Sequence, residues 1–251
     1  MNNCRSRLLA VAVCLALCAG VAVAEEGRET ARYRELVSSE AAFASAIAAH
    51  RRGDLDAAEH GYRKAISGDP AFVEAMVNLA RVHIARHELS SAVMWLDRAE
   101  AQRPEYPEID AARGLAALAA GETSAAIDDL SRARSRAPKD VEVLTNLAAA
   151  LLEQDANREA VDVLEDVLRL DPHRPDTWFN LGLAYDRMGD TPRAEYHYQR
   201  YLGLAQTSDP QRARVMERIE VLANAGAQRS RSNSSSPATS TRTVATGGVR
   251  Q

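Results

Sequence analysis

PDTWFNLGLAYDRMGDTPRAEYHYQRYLGLAQTS, residues 175–208, is the stretch from which the fold is read. Trp178, Leu181, Gly182 and Tyr185 share one helical face, Gly189 breaks the pattern, and Ala194 and Tyr198 begin a second face. In backward steps of 34 residues the same columns recur without insertion in 141–174, 107–140, 73–106 and 39–72. One small column reads Ala58, Ala92, Ala126, Ala160 and Ala194; an earlier one reads Ala46, Ala80, Gly114, Ala148 and Gly182. Four residues after the first column stand Tyr62, Leu96, Leu130, Leu164 and Tyr198. Small residues at a crossing let two helix axes approach to about 8–10 Å, while larger neighbours fill the flanking grooves. Pro70, Pro104, Pro138 and Pro172 end four of the second helices, because proline cannot continue a helix. Each unit is therefore a helix, a turn and a second helix, stacked on the next in single file.

The pattern W-x-x-L-G-x-x-Y followed by A-x-x-x-Y, at this period, resembles the tetratricopeptide repeat family. The resemblance implies an all-α, right-handed superhelical α-solenoid of five contiguous helix-turn-helix repeats. These are 39–72, 73–106, 107–140, 141–174 and 175–208. A capping helix over 209–225 is read from Asp209-Pro210, a helix-start signal, followed by Val215, Ile219 and Leu222 on one face. The resemblance also implies binding of protein or peptide segments in a concave groove rather than catalysis. Similar exported proteins serve envelope biogenesis, secretion and pilus assembly.

At 251 residues the chain exceeds a usual single-core domain, which stacking accommodates because a solenoid needs no central core. The net charge is −4, with two arginines inside 1–24 and four in the tail from Gly226, so residues 25–225 carry about −10. An acidic body argues against nucleic acid as a partner.

Met1–Ala24 has the form of an export signal. Arg5 and Arg7 precede an apolar run from Leu8 to Leu17, and Ala22-Val23-Ala24 is a small-x-small cleavage site. Cleavage after Ala24 leaves no transmembrane span in the mature chain and implies a periplasmic or secreted protein. The alternative is a lipid anchor at Cys18 on the outer membrane, in a subunit of an assembly machine. There Leu15-Ala16-Leu17-Cys18 resembles a lipobox, although Leu17 is bulky where a small residue belongs. Cys4, Cys14 and Cys18 all lie in this segment, so a mature chain without thiols is expected. Residues 25–38 are a charged helical extension, with Tyr33, Leu36 and Val37 at helical spacing to cover the outer face of the first repeat. The Ser-, Thr- and Arg-rich 226–251 has too little apolar area to offset the entropy of ordering and is read as a disordered tail.

Gly53, Gly121 and Gly189 stand where the first helix of a unit ends, a place suited to left-handed backbone; His87 and Asp155 hold it in the other two. The third unit departs from the pattern. Asp110 and Arg113 replace the residues equivalent to Trp178 and Leu181, at a spacing that lets them pair.

Signals for catalysis are few. His83 and His87 form an H-x-x-x-H pair that could present two imidazoles to a metal. Ile84 stands where the zinc-protease motif has its glutamate, and His83 falls in the packing column of Tyr185, so a structural role is preferred. No cofactor is implied.

Glu40, Glu74, Glu108, Glu142 and Asp176 open the first helices, where the helix dipole stabilises an acid. Four residues further on, the column reads Ala44, Asn78, Ala112, Asn146 and Asn180. In tetratricopeptide folds this column faces the groove, and an asparagine there can both donate to and accept from a peptide main chain. The flanking columns are Phe43, Val77, Ala111, Thr145 and Phe179, then Ile47, Arg81, Leu115, Ala149 and Leu183. The expected peptide-binding groove is apolar, with three amide rungs and one central cation, Arg81. The lysine–asparagine clamp of chaperone-binding members is not reproduced, since Phe43 and Ile47 stand at its leading positions. Expected partners are apolar or amphipathic segments of envelope proteins, with homo-oligomers through exposed repeat ends as a further option.

Overall fold

The computed structural model describes residues 29–30 and 32–234, and among these every regular element is a helix. The export signal with Cys18, Ala22 and Ala24, and the tail beyond residue 234, lie outside the described residues. Helix α1 covers 32–51. It is followed by α2 (Leu55–Gly68), α3 (Val73–Ala85), α4 (Leu89–Gln102), α5 (Pro107–Ala120) and α6 (Thr123–Arg136). Then come α7 (Val141–Glu153), α8 (Asn157–Leu170), α9 (Pro175–Arg187), α10 (Thr191–Leu204) and α11 (Arg212–Ser234). The chain is an all-α helical-repeat solenoid. It divides into two compact units between Asn146 and Leu147, inside α7. None of the described helices is long and apolar enough to cross a membrane.

In the first unit the first helices α3 and α5 lie side by side, with α2 and α4 packed against α3 and α4 and α6 against α5. The crossing residues Ala58, Ala92 and Ala126 are fully buried, as are Leu96 and Leu130 beside them. Met76, Leu79 and Val82 put three apolar side chains of α3 into the same core. Each such side chain stabilises the fold by about 1.5–3 kcal/mol relative to exposure. In the second unit α9 packs against α8 and α10, and α11 covers α10. Ala160, Leu164, Ala194 and Tyr201 are fully buried there. Helix α11 is held by buried Val215 and Leu222 and by Arg218, which donates to both oxygens of Asp186 at 2.7 and 2.6 Å.

Both kinds of helix end follow from local chemistry. Asp69, Arg103, Ala137 and Asp171 each close a second helix with φ of −131°, −139°, −128° and −141°. Each precedes a proline, whose ring disfavours helical backbone in the residue before it. At the turns inside the repeats Gly53, Gly121 and Gly189 have φ of 77°, 78° and 75°, while His87 and Asp155 adopt 58°. A side-chain-bearing residue is strained in that region. The variant His87→Gly is expected to raise the unfolding free energy by about 0.5–1 kcal/mol, the relief of strain being partly offset by the freer unfolded chain. Urea titration of the two proteins checks this, and equal midpoints would refute it.

Three expectations differ from what is found. Helix α1 runs unbroken past residue 38, but Tyr33, Leu36 and Val37 are 69%, 38% and 47% exposed and do not cover the first repeat. The reason is length: α2 ends at Gly68, which abuts Ser39, so α1 outruns its partner there. Helix α11 begins at Arg212, three residues late, because the Asp209 carboxylate accepts from the Gln211 N–H and holds a turn. It then continues to Ser234, nine residues into the segment read as a disordered tail. No proline interrupts the chain before Pro237, and the cost of one interior glycine, about 1 kcal/mol at Gly226, does not stop it. Finally, Asp110 and Arg113 do not pair with each other. Asp110, buried, takes Arg132 and Arg136 from α6, and Arg113 donates to Asp97 and Glu100 of α4 at 2.7 Å each.

Candidate functional site

On the face of the first unit built by its first helices, α1, α3, α5 and the start of α7 enclose a cavity of about 540 Å³. Ile47, Leu115 and Tyr62 supply its apolar walls, and Asn78, Arg81, His50, Arg51 and Glu142 its polar groups. A smaller hollow of about 120 Å³ shares Asn78 and Arg81 and is lined by Phe43, Val77 and Tyr106. Six groove-column residues (Phe43, Ile47, Val77, Asn78, Arg81 and Leu115) thus line two hollows with common members. Phe43 is fixed from behind by rings, Phe72 at 4.8 Å and Tyr62 at 5.8 Å.

The polar groups are not equivalent. The Asn78 Nδ2 donates to the Glu74 carbonyl at 2.8 Å, so its carbonyl oxygen is the half left for a ligand. Asn146 and Asn180 are both half-buried, and among the described residues neither makes such a bond. Thr145 turns its hydroxyl onto the Val141 carbonyl at 2.6 Å. Arg81 lies 3.8 Å from Glu142, too long for a tight pair, and its Nε is buried without an acceptor. His50 Nδ1 and the Tyr62 hydroxyl share a hydrogen bond at 3.4 Å. Burial, and then the Arg81 charge, hold His50 below the usual imidazole range, so the cavity's cations are Arg81 and Arg51.

In the second unit Asn180, Phe179 and Leu183 sit half-buried on α9. Phe179 packs its ring toward Tyr201 at 5.6 Å and Tyr198 at 6.1 Å, so much of it is committed to structure. His83 and His87 are not brought together. His83 is buried with Nδ1 2.6 Å from a Glu88 oxygen, and His87 is exposed at the turn. Repeat reasoning overlooked His50, Arg51 and Tyr62. The first two extend the Phe43–Ile47 face by one helical turn, a spacing visible in the sequence. Tyr62 belongs to the large column four residues after the crossing alanines, and only the structure shows its hydroxyl reaching His50.

Family models described as tetratricopeptide repeat match residues 49–116, 111–175 and 147–220. Among solved structures, pilF of Pseudomonas aeruginosa is 20% identical with a TM-score of 0.63, covering 80% of this chain and 95% of that one. TTC0263 of Thermus thermophilus, described as a thermophilic TPR protein, is 19% identical with a TM-score of 0.59, covering 74% and 99%. YrrB, described as a TPR protein with an unusual peptide-binding site, is 18% identical with a TM-score of 0.54, covering 70% and 90%. At such identities the likeness is one of fold. No curated protein matches the sequence.

Proposed function

Because the chain belongs to the tetratricopeptide repeat family, we propose that it is a non-enzymatic scaffold that holds an extended protein segment against its first helices. The observation that carries this reading is the cavity around Asn78 and Arg81, walled by Ile47 and Leu115. An extended segment buries an apolar side chain between Ile47 and Leu115. Its main-chain N–H donates to the Asn78 carbonyl oxygen, and a carbonyl accepts from Arg81. Asn146 at the end of the first unit and Asn180 on α9 of the second each offer an amide that matches a peptide group in either direction. A peptide-binding site in YrrB, a protein of the same fold, is consistent with this use.

The setting proposed is the periplasm, with envelope proteins as partners and a role in envelope, secretion or pilus assembly. Its support is the apolar run from Leu8 to Leu17 behind Arg5 and Arg7, followed by the small residues Ala22 and Ala24. Intact mass of the protein from cells tests the address: a chain starting at Glu25 supports it, and a diacylated chain starting at Cys18 replaces it with a lipid anchor.

Crosslinking in intact cells identifies the bound segment, whose affinity is then measured as a synthetic peptide. The double variant Asn146→Ala/Asn180→Ala is expected to weaken binding about tenfold, two hydrogen bonds at about 0.5–1.5 kcal/mol each, with the thermal midpoint unchanged. Full affinity in that variant would refute the role of the two amides, and full affinity in Arg81→Gln would refute the first-unit cavity as the site.

A further inference from the structure

A second hollow of the first unit, about 600 Å³, lies among α4, α5 and α6 and shares no lining residue with the cavity above. Its floor consists of the methyl groups of Ala116, Ala117 and Ala120. The chain's own columns show what is missing there. Position 117 corresponds to His83, Leu151 and Tyr185 in the second, fourth and fifth repeats, all large and buried. Position 129, an aspartate here, corresponds to Trp95, Val163 and His197 in the same repeats. Like the first repeat, which has Ala49 at the position of Ala117, the third repeat lacks the large side chain that His83, Leu151 and Tyr185 supply on the first helix, and the space is open to solvent.

The hollow's charges are unequal. Arg113 is the one cation among its lining residues; its Nη2 donates to Asp97 and Glu100, and its Nε is buried without an acceptor among the described residues. Glu122 at the mouth has no side-chain partner among the described residues, and Asp129 is half-buried against Arg132. Burial pushes the Asp129 carboxyl up, which a further cation would reverse. An anion would meet two carboxylates. A purely apolar group would desolvate Asp129 and return nothing.

We propose that this hollow receives a lysine or arginine side chain of a partner protein. The methylene stem lies on the alanine floor between Leu89 and Val93, and the charged head meets Asp129 and Glu122. The partner's side chain fills the volume that Leu151 or Tyr185 fills from within in other repeats. It is a second contact, separate from the peptide-binding face.

The test titrates the full chain with n-butylguanidinium chloride, and separately with n-pentanol as a neutral probe of similar length, following amide shifts by NMR. Saturable shifts at Ala117 and Ala120 are expected with butylguanidinium, about tenfold weaker in Asp129→Asn. They are expected to vanish in Ala117→Leu, which fills the hollow as Leu151 does. Should Ala117→Leu fail to fold, Ala120→Met, after Met188, blocks the same floor. Binding of pentanol as tight as that of butylguanidinium, no shifts with either, or undiminished shifts in the filled variants would overturn the proposal. Arg81→Gln is expected to leave these shifts intact, which separates this site from the peptide-binding face.

Discussion

Replacing Gly182 by alanine is expected to destabilise the second unit by about 1–3 kcal/mol, although alanine is much the better helix former. An added Cβ would stand 2.4 Å from Tyr198 Cδ1, 2.6 Å from Cε1 and 2.9 Å from Cγ. The Cγ contact decides the sign, because that atom sits one bond from the Tyr198 Cβ and cannot swing away. The ring is also almost fully buried, and its hydroxyl donates to Asp186 at 3.4 Å. Either α9 and α10 separate or Tyr198 leaves its rotamer. The gain from helix propensity, about 1 kcal/mol, is the smaller quantity. Gly203 in α10 is the control: nothing lies within 4 Å of its added Cβ, so Gly203→Ala is expected to stabilise by about 0.5–1 kcal/mol. Denaturant unfolding followed at Trp178, in a Trp95→Phe background, reports on the second unit. Combining Gly182→Ala with Tyr198→Leu is expected to recover most of the loss, since two residues in contact do not act additively. A Gly182→Ala protein more stable than its parent would show that the close approach of the α9 backbone to Tyr198 does not exist.

The crossing column is where the sequence is most legible. Small residues at 58, 92, 126, 160 and 194 have one job wherever they recur, and pre-proline ends repeat their geometry because the proline ring acts only on its neighbour. The left-handed residues His87 and Asp155 were readable for a similar reason, since register alone put them beside three glycines. What register could not supply was the direction of long polar side chains. Asp110 and Arg113 are spaced to pair along one helix, yet each turns to a different neighbour, α6 and α4. A guanidinium reaches several Å beyond its Cα, so its partner is chosen by whatever the packing leaves exposed. The same limit applied to the candidate site. The columns found Asn78, Arg81 and Leu115, but not that Asn78 spends its N–H on Glu74 or that His50 and Tyr62 close the cavity. Helix ends without a proline or capping residue were misjudged as well, α11 running on through Gly226 for want of a stop signal.

The chain is expected to lose stability as pH falls from about 6.5 to 4, and His197 is the residue to which the loss belongs. Its ring is stacked on Tyr185 at 5.1 Å and 7°, with Trp178 at 5.6 Å and Tyr196 at 5.1 Å, and its Nδ1 is buried without a partner. Burial among these rings, and then the Arg193 charge, lower its pKa to about 4. The unfolded chain takes up a proton at this residue below about 6.5, whereas the native protein refuses it until about 4. Stability therefore drops across that window and levels off below it. Each unit of pKa difference corresponds to about 1.4 kcal/mol, and allowing for partial exposure of the ring leaves a loss on the order of 2 kcal/mol. His50 is lowered in the same direction and adds a smaller slope in the first unit, while Glu59, lowered by Arg63 and Arg86, weakens the fold only as pH falls below the ordinary carboxylate range. The variant His197→Phe keeps the ring stack and removes the titration. Its unfolding free energy, relative to the parent, is expected to rise by about 2 kcal/mol between pH 7 and pH 4.5. A difference that stays constant over that range would mean that the imidazole is solvated and that the aromatic layer around it opens far more readily than its packing suggests.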